Sequence, residues 1–147
     1  MNVKYSEMLQ KRLKGEVEMY NKAEEIALKK GEQLKNSIDK VAAIVIDVAT
    51  EFSPDIRWRD GYEYSGKPFR SSLLLKQYEL AKSTNKLLIV NFNGTKGVPI
   101  SFHQEAFAET IAANLVNSTS DFFDRVFIKY DAHDKVVEVY EEMIKVM

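Results

Sequence analysis

The sequence run 86–115, KLLIVNFNGTKGVPISFHQEAFAETIAANL, constrains the fold of this chain more than any other stretch. It opens with an apolar block at 87–92 that stops at the turn signal Asn93-Gly94, and a short apolar run bounded by turn residues predicts a buried strand. The period then changes, because apolar residues recur at every fourth position, as on one face of a helix. These residues are Phe107, Ile111 and Leu115. The run therefore predicts a strand, a tight loop with glycines and a helix.

Ser101 lies where the N-cap of that helix is expected, and Gln104 follows three residues later. This spacing predicts a capping box, in which each side chain satisfies a backbone N–H that the helix leaves unpaired. A second interpretation is a phosphate acceptor, because the macrodipole and the free amides at a helix N-terminus stabilise a phosphoserine. The spacing by itself favours the cap.

The composition indicates one ordinary domain. The chain has 147 residues, of which 45% are hydrophobic and 29% charged, and a chain of this length buries a sizeable core without disulfides. No apolar run is long enough for a transmembrane helix, and the N-terminal sequence carries charges throughout, unlike a signal peptide. We therefore expect a cytoplasmic protein.

The reactive side chains argue against an enzyme. With no cysteine, the chain has no thiolate nucleophile and no cysteine-ligated metal. The spacing places no carboxylate to orient the His103 ring for nucleophilic catalysis. Asp131, His133 and Asp134 are possible metal ligands that lie close together, but an exposed helix start with an acidic first turn explains them better. Lys96 precedes the second glycine of its loop, which does not match a phosphate-binding loop. We expect no catalytic residue, no metal and no cofactor, and the net charge of −1 argues against nucleic acid as a partner.

Residues 1–37 predict an N-terminal helical extension. The segment is rich in charged and helix-forming residues, with glycine as its only helix breaker. One stripe of this helix carries Leu13, Val17, Tyr20, Ala27 and Leu34. Because Glu24 and Gly31 interrupt the stripe, we favour a helix that covers a sheet face, and a homodimer through this helix is the alternative.

Residues 38–147 predict an α/β domain. Apolar blocks at 41–48 and 125–130 give two further strands, and the first is apolar on both faces except at Asp47, which predicts a strand inside a covered sheet. Ser65 is placed to cap the helix between the first two strands, and 131–147 predicts the last helix. The inward residues expected on these two helices are Phe69, Leu73, Leu80, Val137, Tyr140, Ile144 and Met147. Strand-helix-strand order predicts parallel strands that are joined by right-handed crossovers and covered by helices.

Three motifs in sequence order resemble the STAS-like domain family, small bacterial domains related to anti-sigma factor antagonists. They are Tyr64-Ser65-Gly66-Lys67-Pro68-Phe69-Arg70, the strand at 87–92, and Gly97-Val98-Pro99-Ile100-Ser101-Phe102 followed by Glu105-Ala106-Phe107. The resemblance implies a STAS-like fold, with a small mixed or parallel sheet covered by helices. It also implies regulation of a protein partner, an ATPase of the histidine-kinase type. Where the family has two serines this chain has Ile100-Ser101, so Ser101 is the phosphorylation candidate.

We therefore expect a regulatory protein-interaction module. The predicted docking surface combines the loop after the central strand with the side of the next helix that we expect to be exposed. Its residues are Asn93, Lys96, Val98, Ile100, Ser101, His103, Thr110 and Asn114.

An alternative function is the binding of a small ligand, a nucleotide or a nucleic acid. Arginines interleaved with aromatic side chains stack on bases and form cation–π contacts. The candidate residues are Arg57, Trp58, Arg59 and Arg70. Acidic neighbours at Asp55, Asp60 and Glu63 favour ion pairs within the chain instead.

Overall fold

The structure is a computed structural model that describes residues 3–37, 42–56 and 64–147. Within these residues the strands are β1 (Ala43–Asp47), β2 (Leu87–Asn91) and β3 (Val126–Lys129). They form one parallel sheet in the order β1-β2-β3. Each predicted strand is therefore present and somewhat shorter than its apolar block, and the predicted parallel α/β architecture is confirmed.

Helices precede, connect and follow the strands. The N-terminal helix α1 spans Val3–Ser37, and a short helix α2 spans Val48–Glu51. Helix α3 runs through Gly66–Phe69, Arg70–Leu74 and Leu75–Ser83, and helix α4 runs through Ile100–His103, Gln104–Ala108 and Glu109–Ala112. The middle segment of both is a π-helical turn. Helix α5 (Thr119–Arg125) leads into β3, and α6 (His133–Ile144) follows it.

Helices α3 and α4 end in the same way, at an asparagine. Asn114 after α4 has a φ of 50°, and the N–H of Leu115 donates to the carbonyl of Thr110 at 3.0 Å. This left-handed residue and this bond form a Schellman motif, and Asn85 ends α3 with the same motif. Leu115, the last residue of the predicted apolar stripe, is 42% exposed because the chain has already turned away from the helix.

The prediction that β1 lies inside a covered sheet was wrong. β1 is an edge strand, and Val45 on one of its faces is 50% exposed. Its neighbour in register on β2, Ile89, is only 5% exposed because β2 is the central strand. Apolar residues on both faces therefore identify a strand here without telling an edge strand from a central one.

The inward residues predicted for α3 and α6 are mostly buried. Those that are buried are Phe69, Val137, Tyr140 and Ile144, and Leu73 is partly buried. Two predictions were wrong: Leu80 is 49% exposed on the outer side of α3, and Met147 is 61% exposed because it lies beyond the end of α6.

Helix α1 is continuous, and its second half packs against the domain. From Met19 onward its inward side chains contact α6 and β3, with Ala27 buried and Leu34 half-buried. This half therefore packs mainly on α6 and reaches the sheet at β3. Three members of the predicted stripe are exposed: Leu13, Val17 and Tyr20.

A buried lysine fixes the position of α1. Lys30 is 6% exposed, and its ammonium donates to the carbonyls of Phe123, Asp124 (3.3 Å) and Val126 (2.7 Å), at the end of α5. The same ammonium lies 5.0 Å from the ring centroid of Phe123 and 4.6 Å from that of Phe127. A cation is favourable here because the last carbonyls of a helix are unpaired and form its negative end. Burial lowers the pKa of Lys30 to about 8, and the nearby Asp124 carboxylate opposes this shift, so the group stays mainly protonated at neutral pH.

Helix α5 is in turn held by a polar network. Arg125 forms two hydrogen bonds with the Asp121 carboxylate, at 3.1 and 3.0 Å, and a third with the carbonyl of Lys86 at 2.8 Å. The hydroxyl of Tyr78 on α3 donates to the same carboxylate at 2.7 Å. The hydrogen bond from Arg125 holds the pKa of Asp121 below its ordinary value. The carbonyls that bind Lys30 therefore belong to a helix that is anchored to α3 and to the start of β2.

We predict that Lys30→Met lowers the free energy of unfolding by about 1–3 kcal/mol, because it leaves buried carbonyl acceptors without their donor. Chemical denaturation of the full chain measures this change. The neighbouring Lys29 is exposed, so Lys29→Met is the matched control, expected to change stability by less than about 0.5 kcal/mol. Equal stability of the two variants would show that the buried ammonium does not hold α1.

Candidate functional site

The predicted docking surface begins with the loop between β2 and α4, at the carboxyl end of the sheet. Gly94 and Gly97 have φ of 91° and 139°, a region that L side chains rarely adopt, so these glycines shape the turn. The Thr95 hydroxyl donates to the carbonyl of Phe92 at 2.7 Å, and the N–H of Lys96 donates to Pro54 O at 2.9 Å. The loop is therefore fixed both within itself and to the segment after α2.

Amide side chains tie this loop to the end of β3. Asn91 Oδ1 accepts the N–H of Asn93 at 3.0 Å. The Asn93 side chain accepts the N–H of Asp131 at 2.8 Å, and its Nδ2 donates to Asp131 Oδ1 at 3.3 Å. The amide of Asn93 is thus a bridge between two strand ends, and its partners are within the chain.

The prediction of a capping box at Ser101 was wrong. Pro99 is the N-cap, with φ −72° and ψ 155°, and the helix begins at Ile100, so Ser101 is its second residue. Proline is confined to this φ and cannot donate an N–H, which favours it at the boundary where the helix starts. Gln104 instead donates to Glu142 on α6 at 3.3 Å. Ser101 is half-buried in the first turn of α4.

The structure separates the eight predicted docking residues. Lys96 and Ile100 are exposed, Ile100 to 44%, and Asn93 and Ser101 are half-buried beside them. Three predictions were wrong, because Val98, His103 and Thr110 are buried. Asn114 is exposed at the other end of α4, about 20 Å along the helix from Ser101, and it forms the C-terminal cap. Of the predicted docking residues, Lys96, Ile100 and Ser101 therefore stay candidates, while the Asn93 side chain is engaged with Asp131.

His103 belongs to an aromatic cluster. Its ring lies 5.5 Å from Phe92, 6.0 Å from Phe102 and 6.1 Å from Phe107, measured between ring centroids. In the described part of the chain, neither ring nitrogen has a hydrogen-bond partner. Burial lowers the pKa of His103 to about 3, with a smaller contribution from the Lys135 ammonium, so the imidazole is neutral at physiological pH. A neutral, enclosed imidazole contributes packing to the core.

We predict a loss of stability in acid that depends on His103. Its pKa is lower in the folded chain than the ordinary 6.5, so the unfolded chain binds the proton more tightly. The stability is complete above pH 6.5 and falls by about 1.4 kcal/mol per pH unit as the pH drops toward 3. Urea unfolding of the native chain and of His103→Phe across this pH range isolates the contribution of His103 to the free energy of unfolding. If this free energy changed equally with pH in the two proteins, the prediction would be contradicted.

Arg70 was predicted as a ligand-binding residue, and this prediction was wrong. Its side chain is buried, with Nη1 donating to Glu105 O at 2.7 Å and lying 3.1 Å from Glu109 Oε2. These bonds join the π-helical turn of α3 to α4. The other three candidates, Arg57, Trp58 and Arg59, lie outside the described residues, and their role stays a prediction.

The sequence motifs at 64–70 on α3 and 97–107 on α4 contact each other directly. Ser65 takes the N-cap position of α3 as predicted, but a carboxylate of Glu105 on α4 accepts the N–H of Lys67 at 3.0 Å. A Cβ on Gly66 would lie 2.4 Å from the carbonyl oxygen of Phe102, so only glycine allows the helices to approach this closely. Glycine, glutamate and arginine in these motifs therefore hold one helix against the other.

We predict that Gly66→Ala lowers the free energy of unfolding by about 1–3 kcal/mol, because the added methyl group overlaps backbone that cannot move away easily. Gly31→Ala is the matched control in α1, where a new Cβ meets nothing within 4 Å. It should raise stability by up to about 1 kcal/mol through the better helix propensity of alanine. Thermal or urea unfolding measures both, and a neutral Gly66→Ala would contradict the close contact.

Sequence reasoning missed the roles of Lys30 and Glu105. Lysine in a charged helix usually points to solvent, so no pattern in the sequence marks Lys30 as buried. Glu105 was noticed only as part of a motif. The motif does not indicate that its carboxylate accepts a backbone N–H of α3, a different helix. No group of three or more histidine and carboxylate side chains in the described residues is arranged to hold a metal ion.

Comparisons with protein-family models, with curated proteins and with solved structures gave no match for this chain. Among the described residues, no helix combines the length and the apolar character needed to cross a membrane.

Proposed function

We propose that this chain is a cytoplasmic regulatory module that binds another protein through Lys96, Ile100 and Ser101. The observation that carries the proposal is the exposure of Ile100, which is 44% accessible at the start of α4 beside a loop fixed by internal hydrogen bonds. An exposed aliphatic side chain on fixed backbone, with the exposed Lys96 four residues earlier in the chain, offers a partner protein an apolar contact and a cation.

The fixed loop favours binding because little order has to be gained. Association costs free energy when loops and side chains become immobile. Here the glycine turn is closed by Thr95, and Asn93 bridges the loop to Asp131, before any partner arrives. The interaction energy of Ile100 and Lys96 is therefore available for affinity.

Ser101 supplies the switch in this proposal. It is half-buried in the first turn of α4, directly after Ile100. A phosphate there adds a charge of about −2, which the positive end of the helix stabilises and which changes the electrostatics of the docking surface. The helix would be retained while partner binding changes.

The partner class rests on the motifs. Their resemblance to the STAS-like family, together with a parallel sheet flanked by helices, supports a relationship to anti-sigma factor antagonists. The proposed partner is accordingly an ATPase of the histidine-kinase type, which would also phosphorylate Ser101.

We predict that Ile100→Asp weakens partner binding by at least about 10-fold, because it places a carboxylate in an apolar contact. The partner is captured with the tagged chain from its own cells, purified, and titrated against each variant. Leu80→Asp is the matched control, since Leu80 is 49% exposed on a different helix. It should bind as the native chain does. Equal affinity of the native chain and Ile100→Asp would remove this surface from the proposal.

A second arm of the same experiment tests the switch. The native chain and Ser101→Ala are incubated with the captured ATPase and ATP, and intact masses are compared. The gain of one phosphate in the native chain alone supports the switch. An unmodified native chain would remove phosphorylation and leave docking to the titration.

A further inference from the structure

The first half of α1 presents an apolar stripe to solvent. All side chains at residues 7–18 are exposed. We call this half, together with Tyr20, the α1 arm. Its apolar stripe comprises Leu9 (40% exposed), Leu13 (51%), Val17 (58%) and Tyr20 (37%). Four large apolar side chains in one row on an exposed helix form a surface that proteins normally cover.

This stripe is centred on a different side of the helix from the face that docks onto the domain. The docked face of the second half carries Met19, Ala23, Ile26 and Lys30, with Ala27 at the edge that adjoins the stripe. At about 100° per residue, the arm stripe is centred about 90° around the helix from that face. The domain of the same chain therefore does not cover the stripe, even though the helix is continuous.

The arm also needs stabilisation from outside its own helix. A helical segment of about 12–15 residues is marginal in water without packing. Within the arm, the ion pair between Arg12 and Glu16 has a separation of 3.7 Å and both side chains are highly exposed, at 79% and 64%. A pair this exposed contributes little. Packing of the apolar stripe against another surface would supply the missing stability.

We propose that the α1 arm pairs with the α1 arm of a second copy of this chain, antiparallel, to form a homodimer. The stripe is self-complementary in this orientation, because its spacing of four, four and three residues is nearly the same when reversed. Leu9 then lies opposite Tyr20 of the second copy, and Leu13 opposite Val17.

The charges on the flank of the stripe match the same arrangement. Arg12 and Glu16 lie on the edge of the stripe that is nearer the domain, where they line a cleft with Glu141 and Lys145 of the same chain. Antiparallel pairing places Arg12 beside Glu16 of the second copy, twice by symmetry. The rest of the arm surface mixes both signs, with Lys11 and Lys14 among Glu7 and Glu18. A membrane-surface helix has a predominantly basic polar face instead, so the charges favour a protein copy over a lipid surface.

Sedimentation equilibrium of the full chain tests the dimer. We expect a mass of twice the 16.9 kDa chain, with Leu13→Asp weakening dimerisation by at least about 100-fold, because it places two carboxylates in the contact. Lys11→Asp introduces the same side chain on the opposite side of the arm and should remain dimeric. A monomeric native chain, a dimeric Leu13→Asp or a monomeric Lys11→Asp would each overturn the proposal.

Disulfide formation tests the orientation, since the chain has no cysteine of its own. Leu9→Cys and Tyr20→Cys should crosslink when the two variants are mixed. Leu9→Cys alone should not, because antiparallel pairing separates the two copies of position 9 by about 16 Å along the helix, beyond the reach of a disulfide of about 7 Å. Efficient crosslinking of Leu9→Cys with itself, without a mixed product, would overturn the antiparallel arrangement.

Discussion

The position of the long helix depends on one ammonium group. Lys30 is a buried cation in an aromatic surrounding, and such a charge is tolerated when carbonyl oxygens and ring faces replace the water it has lost. Apolar contacts alone would allow α1 to slide along its axis, whereas three carbonyls define one register. A slip of one turn would move the ammonium by about 5.4 Å and leave both partners unsatisfied. That register determines which part of α1 covers the sheet and which part forms the α1 arm.

The motifs at 64–70 and 97–107 show that a conspicuous sequence pattern can serve the packing of two helices. Gly66, Arg70 and Glu105 belong to these two motifs, and each makes its contact with the neighbouring helix. The two π-helical turns lie in these helices, and the Arg70 side chain donates from one turn to a carbonyl of the other. The proposed docking surface is formed by residues outside these contacts, which are Lys96, Ile100 and Ser101.

Much of the framework could be predicted from the sequence. Apolar blocks bounded by turn residues located the three strands of the described residues. The position of the glycine loop also followed, because the loop after a central parallel strand lies at the carboxyl edge of the sheet.

The site residues could not be predicted in detail, for physical reasons. The helical period identifies the residues that share one side of a helix, but it does not show whether that side faces the core or solvent. Polar residues such as His103 and Thr110 were therefore predicted to face solvent because of their chemistry. Thr110 is buried because its hydroxyl donates to the carbonyl of Ala106 at 2.7 Å within the same helix. His103 is buried because three aromatic rings surround it. The burial of these two polar side chains depends on their tertiary neighbours, which a single sequence does not show.

The two proposed surfaces are joined through α6. Glu142 on α6 accepts a hydrogen bond from Gln104 on α4, and Tyr140 on α6 contacts the Lys30 ammonium on α1. Packed helices of this kind transmit a change of state only if one of them has two arrangements of similar energy. The structure shows one arrangement of α6, and the proposed dimer would act on the docking surface through avidity, by presenting two copies of it to a partner with two binding sites.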